Sequence, residues 1–376
     1  MKVFVKFFPE INLGDDLFLK ILFERYPQIL FVIKAREKYK DIFKNYPNVQ
    51  IIEEKSLKRS RFSQQFKKVY LSALRFLRPS AYIKAIKEDI RKKYETILQD
   101  CDVFLSIGGS IFMQRKMLPT YGHIELYKFV NRNCRHSFYI GCNFGPYIKE
   151  SYRKNLADIF KESDDVCFRD QFSWEKFSNL NNVRYAPDVV FNLETTKVQK
   201  TENSVGFSII KPRGKTDVNS YIENYASLIQ YYINKEEQIF LFSFCSKQED
   251  DKTIEDILKL VKSNRNITKV YYKGNIDEFI HIYSKVEKMY CGRFHSMILS
   301  MLFQQNFFPI IYSEKMTNVL DDLGYSGSVV NMKDFYKQKP EDLDKKICEN
   351  KHDITDEILN SKKQFIKLDK LLQKEL

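Results

Sequence analysis

In the stretch "CGRFHSMILSML" (291–302) an arginine and a histidine stand two residues apart, just after a glycine. Arg293 offers a rigid fork of N–H donors suited to a carboxylate or phosphate. His295 is the side chain best placed to exchange protons near neutral pH. The apolar "KMYC" (288–291) before them reads as a strand, and "MILSMLFQQ" (297–305) after them as a helix with Ser296 as its cap. The N-terminus of that helix favours negative charge and adds to the pull of Arg293. The chain has five histidines (123, 136, 281, 295 and 352), and this one is flanked by Gly292, Arg293 and Ser296. The chemistry that fits is the holding of a small anion beside a group that moves a proton.

Other loops carry weaker signals of the same kind. In "INLGDD" (11–16), Gly14 permits a tight turn, and Asp15 or Asp16 can cap the helix that follows Asn12. In "GGS", Gly108, Gly109 and Ser110 let backbone N–H groups approach an anion. "GCNFGPY" (141–147) is a sharply turned loop. In "RDQFSWEKF" (169–177), Asp170 is an N-cap candidate with Ser173 one turn on, and Arg169 stands at a strand end. Each of these alone is equally well a turn, a cap or a surface ion pair.

All of these loops must be positioned by the elements around them. "KVFVKFF" (2–8), "ILFVI" (29–33), "VQII" (49–52), "DVFLSI" (102–107), "SFYI" (137–140) and "DVCF" (165–168) read as strands, with amphipathic helices such as "DLFLKILFERY" and "HIELYKFVNRNC" between them. The polar "ETTKVQKTENS" (194–204) reads as a linker. The pattern then restarts with strands "VGFSII" (205–210), "IFLFSFC" (239–245), "KVYY" (269–272), "KMYC" and "FFPIIY" (307–312). The expected class is α/β: two tandem Rossmann-like, doubly wound domains, residues 1–193 and 205–338, followed by a charged helical tail at 339–376. In such domains ligands sit at the carboxyl ends of strands, so the active site is expected in the inter-domain cleft.

The 376 residues are enough for two cores, and the formal net charge is +13. That balance favours anionic partners: phosphorylated substrates, acidic membranes or nucleic acid. Nucleic acid is disfavoured, because no recognised binding motif accompanies the charge. The seven scattered cysteines form no C-x-x-C pair, which argues against zinc ribbons and redox motifs, and their odd number fits reduced thiols in a cytosol. No apolar stretch approaches the roughly 20 residues of a membrane span, so the chain is expected to be cytoplasmic, soluble or peripheral. Residues 55–93 are strongly basic, with Glu88 and Asp89 the only acids, and Phe62, Phe66, Val69, Tyr70, Ala73 and Leu77 recur at helical spacing. The favoured reading is a packing helix with a solvated basic face. The alternative is a helix lying on the anionic inner face of the cell membrane.

Taken in order, "NLGDD", "GGS", "GCNFGP", "FRDQFSWE", "APDVVF", "VGFS" and "CGRFHSMILSMLFQQNFFPI" resemble the polysaccharide pyruvyl transferase family over about residues 1 to 325. Each motif is weak alone; their order and spacing make the match specific. The resemblance implies a GT-B-like fold. It also implies transfer of a pyruvyl group from phosphoenolpyruvate to two sugar hydroxyls, giving a cyclic ketal and phosphate, as in exopolysaccharide or capsule biosynthesis. The acceptor would be a saccharide, free or lipid-linked; no cofactor and no metal is implied. Carried over residue by residue, the family's donor pocket corresponds to Arg293 and His295 with Phe294 between them, and to Arg169 of the arginine–aspartate pair. His123 is the nearest match to the family's first-domain histidine. Asn12, Gly14, Asp15, Gly108, Gly109, Ser110 and Ser296 belong to the matching loops. Two departures stand out. The family's triple glycine is here Ile107-Gly108-Gly109, and the arginine found in many members after the strand corresponding to 205–210 is replaced by either Lys211 or Arg213. The rival readings are a sugar-nucleotide-dependent glycosyltransferase of the same fold and a non-catalytic protein of a polysaccharide cluster.

Overall fold

In the computed structural model, residues 1–53, 77–114, 121–350 and 352–373 are described. Contacts between backbones divide the chain into two compact units. The first comprises residues 1–9, 22–186 and 363–376, and the second 10–21 and 187–362.

The first unit is built on a seven-stranded parallel sheet: β1 (Lys2–Lys6), β2 (Leu30–Ala35), β3 (Val49–Glu53), β4 (Val103–Ile107), β5 (His136–Cys142), β6 (Asp165–Phe168) and β7 (Val183–Tyr185), in the order β3-β2-β1-β4-β5-β6-β7. Strands β4 and β6 are buried along their whole length, as expected where helices cover both faces of a parallel sheet. The core is aromatic: Phe104, Phe112, Tyr127, Tyr139 and Phe160 pack with centroids 5.0–6.4 Å apart, mostly edge to face or tilted.

The second unit has a six-stranded parallel sheet: β8 (Ser204–Ser208), β9 (Gln238–Ser243), β10 (Ile267–Tyr271), β11 (Lys288–Cys291), β12 (Asn306–Ile311) and β13 (Val330–Asn331), in the order β10-β9-β8-β11-β12-β13. Its core stacks Phe207 on Tyr290 at 5.1 Å, and the Tyr232 hydroxyl bonds that of Tyr290 at 2.9 Å.

Each sheet reverses its strand order once, between β1 and β4 in the first and between β8 and β11 in the second. At such a switch point the two flanking helices run to opposite faces, and the chain ends open a crevice beyond the strands' carboxyl ends. "GGS" directly follows β4, and Gly292-Arg293-Phe294-His295 directly follows β11.

Two features differ from the expectation. The tail does not act as one piece. Helices Pro340–Glu349 and Thr355–Ser361 belong to the second unit, while Ile366–Leu372 returns to the first. There Asp369 accepts from Arg25 Nη2 at 2.7 Å and from the Tyr26 hydroxyl at 2.6 Å, and Gln364 accepts from Gly141 N at 3.0 Å and donates to Ala186 O at 2.7 Å. Residues 10–21, the loop and most of helix Leu13–Arg25, group with the second unit, and the division between the units falls at 186/187. Much of the basic segment 55–93 lies outside the described residues; its remainder forms helix Pro79–Gln99. No helix among the described residues is long and apolar enough to cross a membrane.

Candidate functional site

The second unit gathers its functional candidates at the carboxyl ends of β8, β11 and β12. Arg293 leaves β11 in extended conformation and precedes helix Phe294–Leu302 without a side-chain cap. Its N–H donates to Ser208 Oγ at the end of β8 at 3.0 Å. Its guanidinium is buried and committed along one edge to Asp250: Nε donates to Oδ2 at 3.0 Å, Nη2 donates to Oδ1, and Nη1 reaches Gln248 Oε1 at 2.7 Å. Burial opposes the charge of Arg293, but Asp250 outweighs it and raises the guanidinium pKa. Asp250 is itself fixed by Phe244 N and Cys245 N, at 3.2 and 3.0 Å.

His295 occupies the first turn of the same helix. Its ring stands edge-on to Phe18 at 5.3 Å and to Phe294 at 5.1 Å. It also lies directly against Gly14: a Cβ built there would stand 2.5 Å from His295 Cε1 and 2.7 Å from Cγ, well inside contact distance. The loop that brings Gly14 here is held to the unit by Leu13 N donating to Phe244 O at 3.2 Å and by the Tyr272 hydroxyl donating to buried Asp16 at 2.6 Å. Asn12 accepts from Asp15 N and Asp16 N through its carbonyl, at 3.1 and 3.0 Å, and its amide bonds the Asp15 carboxylate.

More cations surround the same strand ends. Arg213, past β8, lies 5.8 Å from the Tyr312 ring and bonds Gln248, the acceptor it shares with Arg293. Lys315, past β12, lies over the rings of Phe294 at 5.2 Å and Tyr312 at 5.6 Å. Burial pushes the Tyr312 phenol up, but Lys315, Arg293 and Arg213 together outweigh it, and its pKa falls below the ordinary tyrosine value. A phenol lowered despite burial marks a positive local field. Lys211 points to an exposed ion pair with Glu249. Ser296 is not the helix cap: the helix begins two residues earlier, and Ser296 is fully buried, its hydroxyl 2.8 Å from that of Tyr283.

In the first unit, Arg169 follows β6 and is buried against the Gly-rich loop. A Cβ on Gly109 would stand 2.6 Å from Arg169 Nη1, so the guanidinium rests on bare backbone. Arg169 Nη2 donates to Asn143 Oδ1 at 2.9 Å, and Gly109 O accepts from Asn143 N at 2.8 Å. Gly108 takes a φ of 136°, and Ser110 is half-buried beside it. Asp170 caps the following helix through Ser173 N at 2.8 Å. His123 lies on helix Tyr121–Asn133 of this unit. Its residue surface is largely open, yet the protein mass around the imidazole and the charge of Lys6 push its pKa down to about 4. Among the described residues no group of three His, Cys, Asp or Glu side chains is placed to hold a metal.

A family model described as polysaccharide pyruvyl transferase matches residues 12–314. The chain belongs to the polysaccharide pyruvyl transferase family. The match spans the loops of both units, from Asn12 to the start of the helix that follows β12. No curated protein is similar enough in sequence to report. Among solved structures, the family member resembles a putative UDP-N-acetylglucosamine 2-epimerase from Listeria monocytogenes, with a TM-score of 0.60, 10% identity, and 99% of this chain and 97% of that chain covered. It also resembles UDP-GlcNAc 2-epimerase from Neisseria meningitidis bound to UDP-GlcNAc, with a TM-score of 0.56, 9% identity, and 99% of each chain covered. At these identities the likeness is one of fold: two Rossmann-like α/β domains of GT-B type.

Asp250, Gln248, Lys315 and Tyr312 escaped the sequence reading. Lys315 and Tyr312 carried a usable signal, Tyr312 closing the apolar run "FFPIIY" and Lys315 standing just past it. Asp250 and Gln248 carried none, since their value lies in reaching Arg293, more than forty residues along the chain.

Proposed function

We propose that this transferase moves the pyruvyl group of phosphoenolpyruvate onto two hydroxyls of a saccharide, in a polysaccharide or its lipid-linked precursor, on the cytoplasmic side of the cell membrane. The observation that carries the reading is that an imidazole, His295, and the cations Arg213, Arg293 and Lys315 all follow adjacent strand ends of one sheet. Phosphoenolpyruvate bears a carboxylate and a phosphate on a three-carbon frame, and such a charge needs several cations at short range. His295 donates a proton to the methylene carbon, which becomes a methyl group. The adjacent carbon is left electron-poor, and one sugar hydroxyl adds to it, returning its proton to the imidazole. A second hydroxyl then attacks the same carbon and expels phosphate, its own proton leaving on the phosphate. Two C–O bonds form, and the bond to the phosphate oxygen breaks. Lys315 and the positive field of Arg293 stabilise charge on the leaving phosphate. Within the first unit, Arg169 on the Gly-rich loop is a candidate anion contact in its own right.

A protein of the same fold is bound to UDP-GlcNAc, which makes a sugar nucleotide the competing donor. Thermal unfolding with phosphoenolpyruvate and with UDP-GlcNAc separates the two. The proposal expects phosphoenolpyruvate to raise the melting temperature, and His295→Gln to keep that rise while phosphate release falls by roughly 10²–10⁴-fold. Stabilisation by UDP-GlcNAc alone, or undiminished release in His295→Gln, defeats it.

A further inference from the structure

The first unit carries a second cationic feature, apart from the loops described above. Helix Pro79–Gln99 and helix Tyr121–Asn133 enclose a cavity of about 210 Å³. Lys84, Lys87, Glu88 and Arg91 line it from the first helix, and Glu125, Lys128, Phe129 and Arg132 from the second. Both sets follow the same spacing of 0, 3, 4 and 7 residues, so each is one continuous stripe on its helix. Ile90 and Phe129 make an apolar floor, while Lys84, Lys87, Arg91 and Arg132 are exposed at the rim.

Charge selects the occupant. The lining carries five cations and two carboxylates. Glu125 pairs with Lys87 at 3.5 Å and Glu88 with Arg91 at 3.2 Å. Lys84, Lys128 and Arg132 have no acidic partner among the described residues. Three uncompensated cations around an apolar floor match a phosphate joined to an aliphatic chain, which neither an acidic peptide nor a nucleic acid backbone supplies. The volume is also below the roughly 300–1,000 Å³ of small-ligand pockets, too small for a nucleotide.

We propose that this two-helix groove docks the protein on an anionic phospholipid surface, headgroup phosphates lying on Lys84, Lys128 and Arg132 and acyl carbon reaching Ile90 and Phe129. The inference is independent of the pyruvyl-transfer reading, because binding alone tests it. The full chain is sedimented with vesicles of phosphatidylglycerol and phosphatidylcholine and with vesicles of phosphatidylcholine only. Binding is expected only with the former. Each basic side chain near such a surface contributes about fivefold, so K84E/K128E/R132E should weaken binding by roughly a hundredfold or more. The variant K262E/R265E/K273E makes the same change of charge at exposed positions of the second unit and should bind like the parent. Circular dichroism verifies that both variants fold, and K84A/K128A/R132A replaces the first should it not. Equal loss in both triple variants, unchanged binding in the groove variant, or equal binding to the neutral vesicles overturns the proposal.

Discussion

The imidazole of His295 lies flush on the backbone of Gly14, in a contact that any side chain at position 14 would block. Gly14 sits in the first turn of helix Leu13–Arg25, where alanine would otherwise stabilise the helix by about 0.5–1 kcal/mol. Overlap with the ring reverses that sign: Gly14→Ala should destabilise the protein by roughly 1–3 kcal/mol and, by moving His295, lower turnover by about the 10²–10⁴-fold of a lost general acid. In a His295→Ala background the clash is gone, so Gly14→Ala should there stabilise and leave the residual rate unchanged. A double-mutant cycle of melting curves and phosphate release measures both. Full activity in Gly14→Ala alone would show that His295 need not sit where it does.

Arg293 depends in the same way on a partner remote in sequence. Its guanidinium is buried against Asp250, which is fully buried. Removing one member of a buried pair leaves the other uncompensated, at a cost of roughly 3–5 kcal/mol. Asp250→Ala should therefore lose about that much stability in urea unfolding. Asp250→Asn, which retains an oxygen acceptor, should lose less. A loss below about 1 kcal/mol in the alanine variant, the level of a surface pair, would mean that the guanidinium finds solvent.

Gly109 and Arg169 repeat the arrangement in the first unit, a cation resting on bare backbone. Gly109→Ala should cost roughly 1–3 kcal/mol of stability by displacing the guanidinium, and in an Arg169→Ala background it should cost little. Urea unfolding of the two single variants and the double variant decides this; additive losses would separate the loop from the arginine.

The fold was legible because both parallel sheets are buried on two faces, which writes each central strand as an apolar run such as "VFLSI" or "KMYC". The strands that escaped, β7 and β13, are three and two residues long at sheet edges, too short to show a pattern. Arg293 and His295 were legible from spacing, since one helix start presents both. Their supports were not. That Gly14 must be glycine because a histidine from the far end of the chain lies on it, or that Asp250 is a counter-ion rather than a helix-capping acid, is a property of packing. The Ser296 cap failed because the helix starts at Phe294 and turns the serine inward to Tyr283.

Tyr312 offers a readout of the proposed anion site that does not require turnover. Its phenol is lowered from the ordinary value because Lys315, Arg293 and Arg213 outweigh its burial. The ionised form is thus favoured in the folded state. Its contribution to stability is fully present above the unfolded value of about 10 and is lost as pH falls through the lower folded value. Lys315→Met should move the phenol back up and shrink that alkaline contribution. Phosphate or phosphoenolpyruvate bound to the same cations should act in the same direction, because the ligand neutralises the field that favours phenolate. Absorbance titration of phenolate, with Tyr312→Phe to assign the signal, follows both shifts. A Tyr312 titration indifferent to saturating phosphoenolpyruvate would place the donor away from these cations.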